Sequence, residues 1–127
     1  MLLCPACCTP ALRIAASLEL GADSVSDEVT LQALCCTSCN LTAAACYEES
    51  RRGSLESECW SHWAVGIAAD DYEKLLASLA ACPAPERATC TCNAHRWFGQ
   101  SSEHGRVQPL RWLPCIEGSG FTPKLVR

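Results

Sequence analysis

Two cysteine pairs carry the clearest chemistry. Cys4-Pro5-Ala6-Cys7 and Cys36-Thr37-Ser38-Cys39 each separate their thiols by two residues. That spacer lets both sulfurs of one tight turn face the same point. Four sulfurs converging from two such turns suit a tetrahedral ion held about 2.3 Å from each thiolate, zinc above all. Cys82, Cys90, Cys92 and His95 form a second constellation of soft or borderline donors, in a loop carrying Pro83 and Pro85. A short loop of this kind wraps zinc without regular structure, as three-cysteine, one-histidine sites do. A rival grouping sets Cys59 and His62 beside Cys90 and Cys92. The doublets Cys7-Cys8 and Cys35-Cys36 leave the ligand register of the first set open.

The chain has 127 residues and 12 cysteines. Such a count arises from a secreted disulfide framework, from metal sites or from redox chemistry. Met1-Leu2-Leu3 runs straight into Cys4, and the apolar residues after Thr9 are interrupted by Arg13 and Glu19. No export signal and no membrane span is read there, so a cytoplasmic protein is expected. In a reducing compartment, clustered cysteines point to metal rather than disulfides. Copper storage uses cysteines strung along helix faces, whereas these sit at turns. A catalytic dyad from Cys59 and His62 is disfavoured, because residues 59 and 62 of a strand point to opposite faces. No phosphate-binding glycine loop and no zinc-protease helix is present, and four thiolates leave a zinc no open position for water. The chain is therefore expected not to be an enzyme, and no small-molecule substrate is evident.

The elements that must position these donors follow from periodicity. Leu12, Ile14, Ala16, Leu18 and Leu20 alternate with other residues, the period of a half-buried strand. Gly21-Ala22-Asp23-Ser24 supplies a turn. Val29, Leu31, Ala33 and Cys35 read as a second strand, although Ala and Leu also suit a helix in either segment, and a hairpin would bring Cys36-x2-Cys39 back beside Cys4-x2-Cys7. Residues 41–47 read as a third strand or short helix, 48–54 as a polar turn with solvated acids, and 59–67 as a fourth strand. Asp70 and Asp71 open a helix over 70–81, where acids meet the positive end of the dipole. Pro83 prevents its continuation. The fold expected is α+β: a small antiparallel sheet, one covering helix and an irregular arm. Residues 1–47 form a first unit. Residues 48–98 form a strand-helix-loop unit packed with it, and residues 99–127 the arm.

Over residues 4–39 the chain resembles the zinc-ribbon family and, more distantly, the rubredoxins. The resemblance implies that Cys4, Cys7, Cys36 and Cys39 are the four ligands. Such turns place a residue able to take positive φ after the second cysteine, usually glycine. Asn40 meets that need and Cys8 departs from it. A rubredoxin-like iron electron carrier is one alternative implied. The Cys36/Cys46 and Cys82/Cys92 spacings suggest another, the disulfide-stapled twin Cys-x9-Cys mitochondrial proteins. That motif needs each pair on a helix, which Pro83 and Pro85 oppose.

Net charge is -4, which argues against general nucleic-acid binding. Residues 96–127 carry five Lys/Arg against two Asp/Glu, a mildly basic arm on an acidic body. Trp97, Phe98, Arg111 and Trp112 lie in or beside that arm. Tryptophan and arginine are enriched at interface hot spots, so these four are candidate partner-binding residues. The function expected is a non-enzymatic zinc protein, holding one or two ions, that serves as an interaction or accessory subunit to a protein partner.

Overall fold

The structure, a computed structural model, describes residues 1–50 and 59–126. The polar segment 51–54 and the Cys59 side chain lie outside that description. Four strands, β1 (Leu12–Glu19), β2 (Glu28–Cys36), β3 (Thr42–Ser50) and β4 (Cys59–Gly66), form an antiparallel sheet in the order β1-β2-β3-β4. Two helices follow, α1 (Ala69–Ala80) and α2 (Asn93–Phe98), then a 3₁₀ turn at Pro109–Trp112. No helix among the described residues is long and apolar enough to cross a membrane. The α+β class, the hairpin, the third and fourth strands and the helix near 70–81 agree with the sequence. Residue 47 falls inside β3, so the first two expected units share one sheet.

β1 departs from simple alternation. Ile14 pairs with Leu34 and Ala16 with Ala33, so Ala15 is an extra residue. A bulge of this kind re-phases every side chain beyond it. Leu12 therefore joins one core with Cys4, Leu34, Cys36, Ala43, Ala45 and Ala64. Leu18 joins the other, with Leu31, Ala33, Ala44 and the helical residues Tyr72, Leu75, Leu79, Ala94 and Phe98. β2 serves both cores and is buried on both sides: Val29, Leu31, Ala33, Leu34 and Cys36 are all 0 % exposed.

Glu48, Glu49 and Ser50 are strand, not turn. β3 pairs with β2 as far as Glu49↔Glu28, and with β4 as far as Ser50↔Cys59. Nor are its acids solvated. Glu49 is buried, and Glu48 accepts a 2.7 Å bond from Arg106. Arg106 also bonds Asp23 at 3.2 Å. The Asp23 carboxylate accepts from the amides of Val25, Ser26 and Val107 as well. Burial alone would raise the Asp23 pKa, but these donors hold it below the usual carboxylate range. This clamp ties the β1–β2 turn, β3 and the arm together.

The arm is irregular but docked. It bridges to β4 and Ile67 through Ala64↔Phe121 and Ile67↔Cys115, and to the N-terminus through Leu2↔Leu125. Gly120 makes one approach possible: a Cβ there would run into the Trp63 ring.

Candidate metal centres

Site 1 is built by the segment before β1 and the turn that leads from β2 to β3. Two matching turns present its thiols. In the first, the Cys8 amide donates to the Cys4 carbonyl at 3.0 Å; in the second, the Asn40 amide donates to the Cys36 carbonyl at 3.1 Å. Each turn ends in the left-handed region, with φ of 56° at Cys8 and 64° at Asn40. Cys8 thus takes up the glycine-like conformation despite its side chain, at a cost of about 1–2 kcal/mol. The Cys36 sulfur accepts from the amides of Ser38 and Cys39 at 3.4 and 3.5 Å. Cys4 and Cys36 are buried, Cys7 is partly covered and Cys39 is exposed at the rim.

The sulfurs converge. Cys4 and Cys39 lie 3.6 Å apart, and Cys7 and Cys36 3.7 Å apart. A tetrahedron with sulfur about 2.3 Å from its centre has edges of about 3.8 Å. The four donor atoms all lie within 4.8 Å of one another, so this group could hold a metal ion. A disulfide needs about 2.05 Å, and the described cysteines are all free thiols.

Site 2 forms where the chain returns from α1. Cys82 follows the helix end, its amide donating to the Leu79 carbonyl. Cys92 is the N-cap of α2, its sulfur accepting from the His95 amide at 3.4 Å. The segment is not a simple loop, as the sequence suggested. A six-residue helix carries His95 and sets its ring one turn beyond the capping sulfur. His95 Nδ1 lies 3.3 Å from the Cys82 sulfur and 3.2 Å from that of Cys92, and Cys82 lies 3.8 Å from Cys90. This group also meets the 4.8 Å limit and could hold a metal ion.

The other ring nitrogen fixes the tautomer. His95 Nε2 lies 3.0 Å from the Glu19 carbonyl. A carbonyl only accepts, so Nε2 carries the proton and Nδ1 offers its lone pair to the thiol group. That bond joins site 2 to the end of β1.

The thiols do not share charge evenly. The Thr9 side chain outweighs burial and, with its amide, lowers the Cys7 thiol to about 6. Burial opposes ionisation of Cys92, but the His95 amide and ring bring it to about 6. The Leu41 amide favours ionised Cys39, yet burial and the neighbouring thiols push it up to about 12. Burial pushes Cys82 to about 11. In each group one sulfur ionises readily and makes the next ionisation harder. A dication placed among them removes that conflict, so the donor chemistry fits a bound metal.

The remaining candidates are dispersed. His62 sits on β4, bonded to Gln32 at 2.7 Å and edge-on to Tyr47, so it joins no cysteine group among the described residues. Burial holds its pKa down. Cys36 and Cys46 lie on strands β2 and β3, not on a helical hairpin. Phe98 is buried in the helical core. Trp97 is half exposed and packs against Trp112 with ring centroids 5.5 Å apart, while the Arg111 guanidinium lies 5.5 Å over the Trp112 ring.

Comparison with known protein families, with characterised proteins and with solved structures finds no match to this chain.

Proposed function

We propose that the protein is a non-enzymatic zinc protein carrying two structural ions, one held by Cys4, Cys7, Cys36 and Cys39 and one by Cys82, Cys90, Cys92 and His95. The observation that carries this reading is the pair of four-donor groups, each with its donor atoms within 4.8 Å of one another and unpaired by disulfides. Four protein ligands saturate zinc, which suits a structural ion rather than a catalytic one. Each ion staples separate elements: the N-terminal segment to the β2–β3 turn, and the α1 exit to the start of α2. A fold held in this way, with several exposed tryptophans, suits an accessory subunit that presents a surface to a protein partner.

Cobalt substitution tests the ligand sets. Thiolate-bound cobalt gives visible d–d bands whose strength reports tetrahedral geometry, and charge-transfer bands that scale with sulfur count. Two cobalt ions per chain, one of which is lost in Cys7→Ser and the other in Cys90→Ser, is the expected result. A chain that takes up one ion, or whose spectrum ignores these substitutions, contradicts the assignment. A purified protein coloured before cobalt is added would instead favour the iron electron-carrier reading.

A further inference from the structure

β4 closes one side of the sheet, and its outer edge is only half filled. Ala64 exchanges both backbone bonds with Phe121, each 2.8 Å. Ala64 therefore turns its N–H and C=O away from β3. The β3–β4 register is unbroken from Gly66 to Cys59, so His62 and Trp60 turn theirs outward too. At Gly66 the edge is met by Ser119 and Ile116. Beyond Phe121 the arm leaves for the N-terminus, where Leu125 pairs with Leu2. Among the described residues, no hydrogen bond meets the outward groups of Trp60 or His62.

Each face beside the edge carries an exposed tryptophan, and the face of Trp63 is also cationic. Trp60 is 64 % exposed and Trp63 47 %. Residues 59–66 contain no proline, lysine or arginine that would blunt the edge. Beside the edge, on the face that carries the helices, lies a cavity of about 250 Å³ whose walls include Cys46, Ser61, Trp63, Leu110, Arg106 and Arg111. Arg106 is engaged by Asp23 and Glu48. Arg111 has no carboxylate partner among the described residues and rests on Trp112. In an added strand, the residue opposite Ser61 projects to the same face as Ser61, and so toward this cavity.

We propose that the Trp60–His62 edge of β4 receives an extended segment of a partner protein as a fifth strand, with an apolar side chain in the cavity and an acidic one against Arg111. Backbone bonds supply affinity in this mode and the side-chain sites supply specificity. The arm's own pairing at Phe121 shows the edge accepting a strand one step further along. The inference rests on the reading of the chain as an interaction subunit and names the surface it uses.

The probe is an acetylated peptide of about nine residues, one strand in length, alternating threonine and valine, with phenylalanine at its centre and glutamate two residues on. Hydrogen exchange is followed by NMR on the zinc-loaded full chain. Saturating peptide is expected to slow exchange at Trp60 and His62 at least about tenfold, leaving Ala64 unchanged. N-methylation of the peptide amides that face β4 should abolish binding, and N-methylation of the alternate amides should not. Arg111→Glu should weaken binding by about tenfold, and replacing the peptide glutamate with lysine should restore it. Unchanged exchange at Trp60 and His62, or indifference to N-methyl phase, would overturn the proposal. So would self-association of the chain in sedimentation that, without peptide, slows exchange at the same two amides. Zinc is measured in the same samples: lost peptide binding with zinc retained counts against the edge alone. Absent zinc with the amides still protected counts against the metal reading alone.

Discussion

Cys8 shows how a single side chain records the demands of a site. Its backbone does what glycine ordinarily does after the second cysteine of such a turn, at φ 56°. Cys8→Gly removes the clash of Cβ in the left-handed region while preserving the Cys4 and Cys7 thiols. It is expected to raise stability by about 1 kcal/mol with zinc content unchanged, read by thermal unfolding and metal analysis. If Cys8 is itself a ligand, the zinc is lost instead. Asp23 makes a second residue-level case. Its folded pKa is depressed by amide donors and Arg106, so its contribution is present above the unfolded value of about 3.9 and fades as pH falls through the lower folded value. Asp23→Asn is expected to cost about 1.5–3 kcal/mol near neutrality, the worth of hydrogen bonds to a charged group. Its penalty should begin to shrink below about pH 4, where the unfolded chain protonates this carboxyl, and continue to fall as pH drops through the lower folded value. Denaturant unfolding at pH 7 and pH 3 measures both, and an equal penalty at the two pH values would count against the clamp.

The secondary-structure elements divide into those the sequence displays and those it conceals. Cys4-x2-Cys7 and Cys36-x2-Cys39 were legible because a two-residue spacer acts locally and a period-2 hairpin between the pairs is easily read. Cys82, Cys90, Cys92 and His95 were legible as donors, but their scaffold was not. A six-residue helix capped by a sulfur carries no helix-length periodicity and none of the usual oxygen caps. The Ala15 bulge was likewise hidden, since Leu12 to Leu20 alternate in sequence whether or not the phase slips between them. Polarity misled at Glu48, whose partner Arg106 comes from the arm, and at Glu49, which is buried and accepts from the Tyr47 hydroxyl. One prediction belongs to these elements. Because His95 ties site 2 to Glu19, Cys90→Ser should speed amide exchange through residues 82–98 and at the end of β1. The turns at Cys8 and Asn40 should keep wild-type exchange. Uniform loss of protection would mean that the two sites fold as one unit.

The molecule as a whole joins two apolar layers on opposite faces of one sheet, each with a four-donor group at its margin. Its arm returns to close both ends: Phe121 packs on the site 1 core, and Leu110, Trp112 and Leu113 pack on the helical core. Gly120 is the point where that return is tightest. Gly120→Ala is expected to lift the arm from β4 by forcing a methyl group into the Trp63 ring. Faster exchange at Phe121 and Ala64, with both zinc ions retained, is the outcome anticipated; unchanged exchange would show that Trp63 yields instead. None of these long-range closures is written in local periodicity, which is why the arm reads from sequence only as irregular.

The two-ion assignment is tested most directly by native mass spectrometry of the purified full chain, joined to zinc K-edge absorption. The account predicts two zinc ions per chain, sharing seven sulfurs and one nitrogen as their protein ligands. A chain that carries no metal, that has lost mass through disulfide formation, or whose zinc is bound chiefly through oxygen, would contradict it.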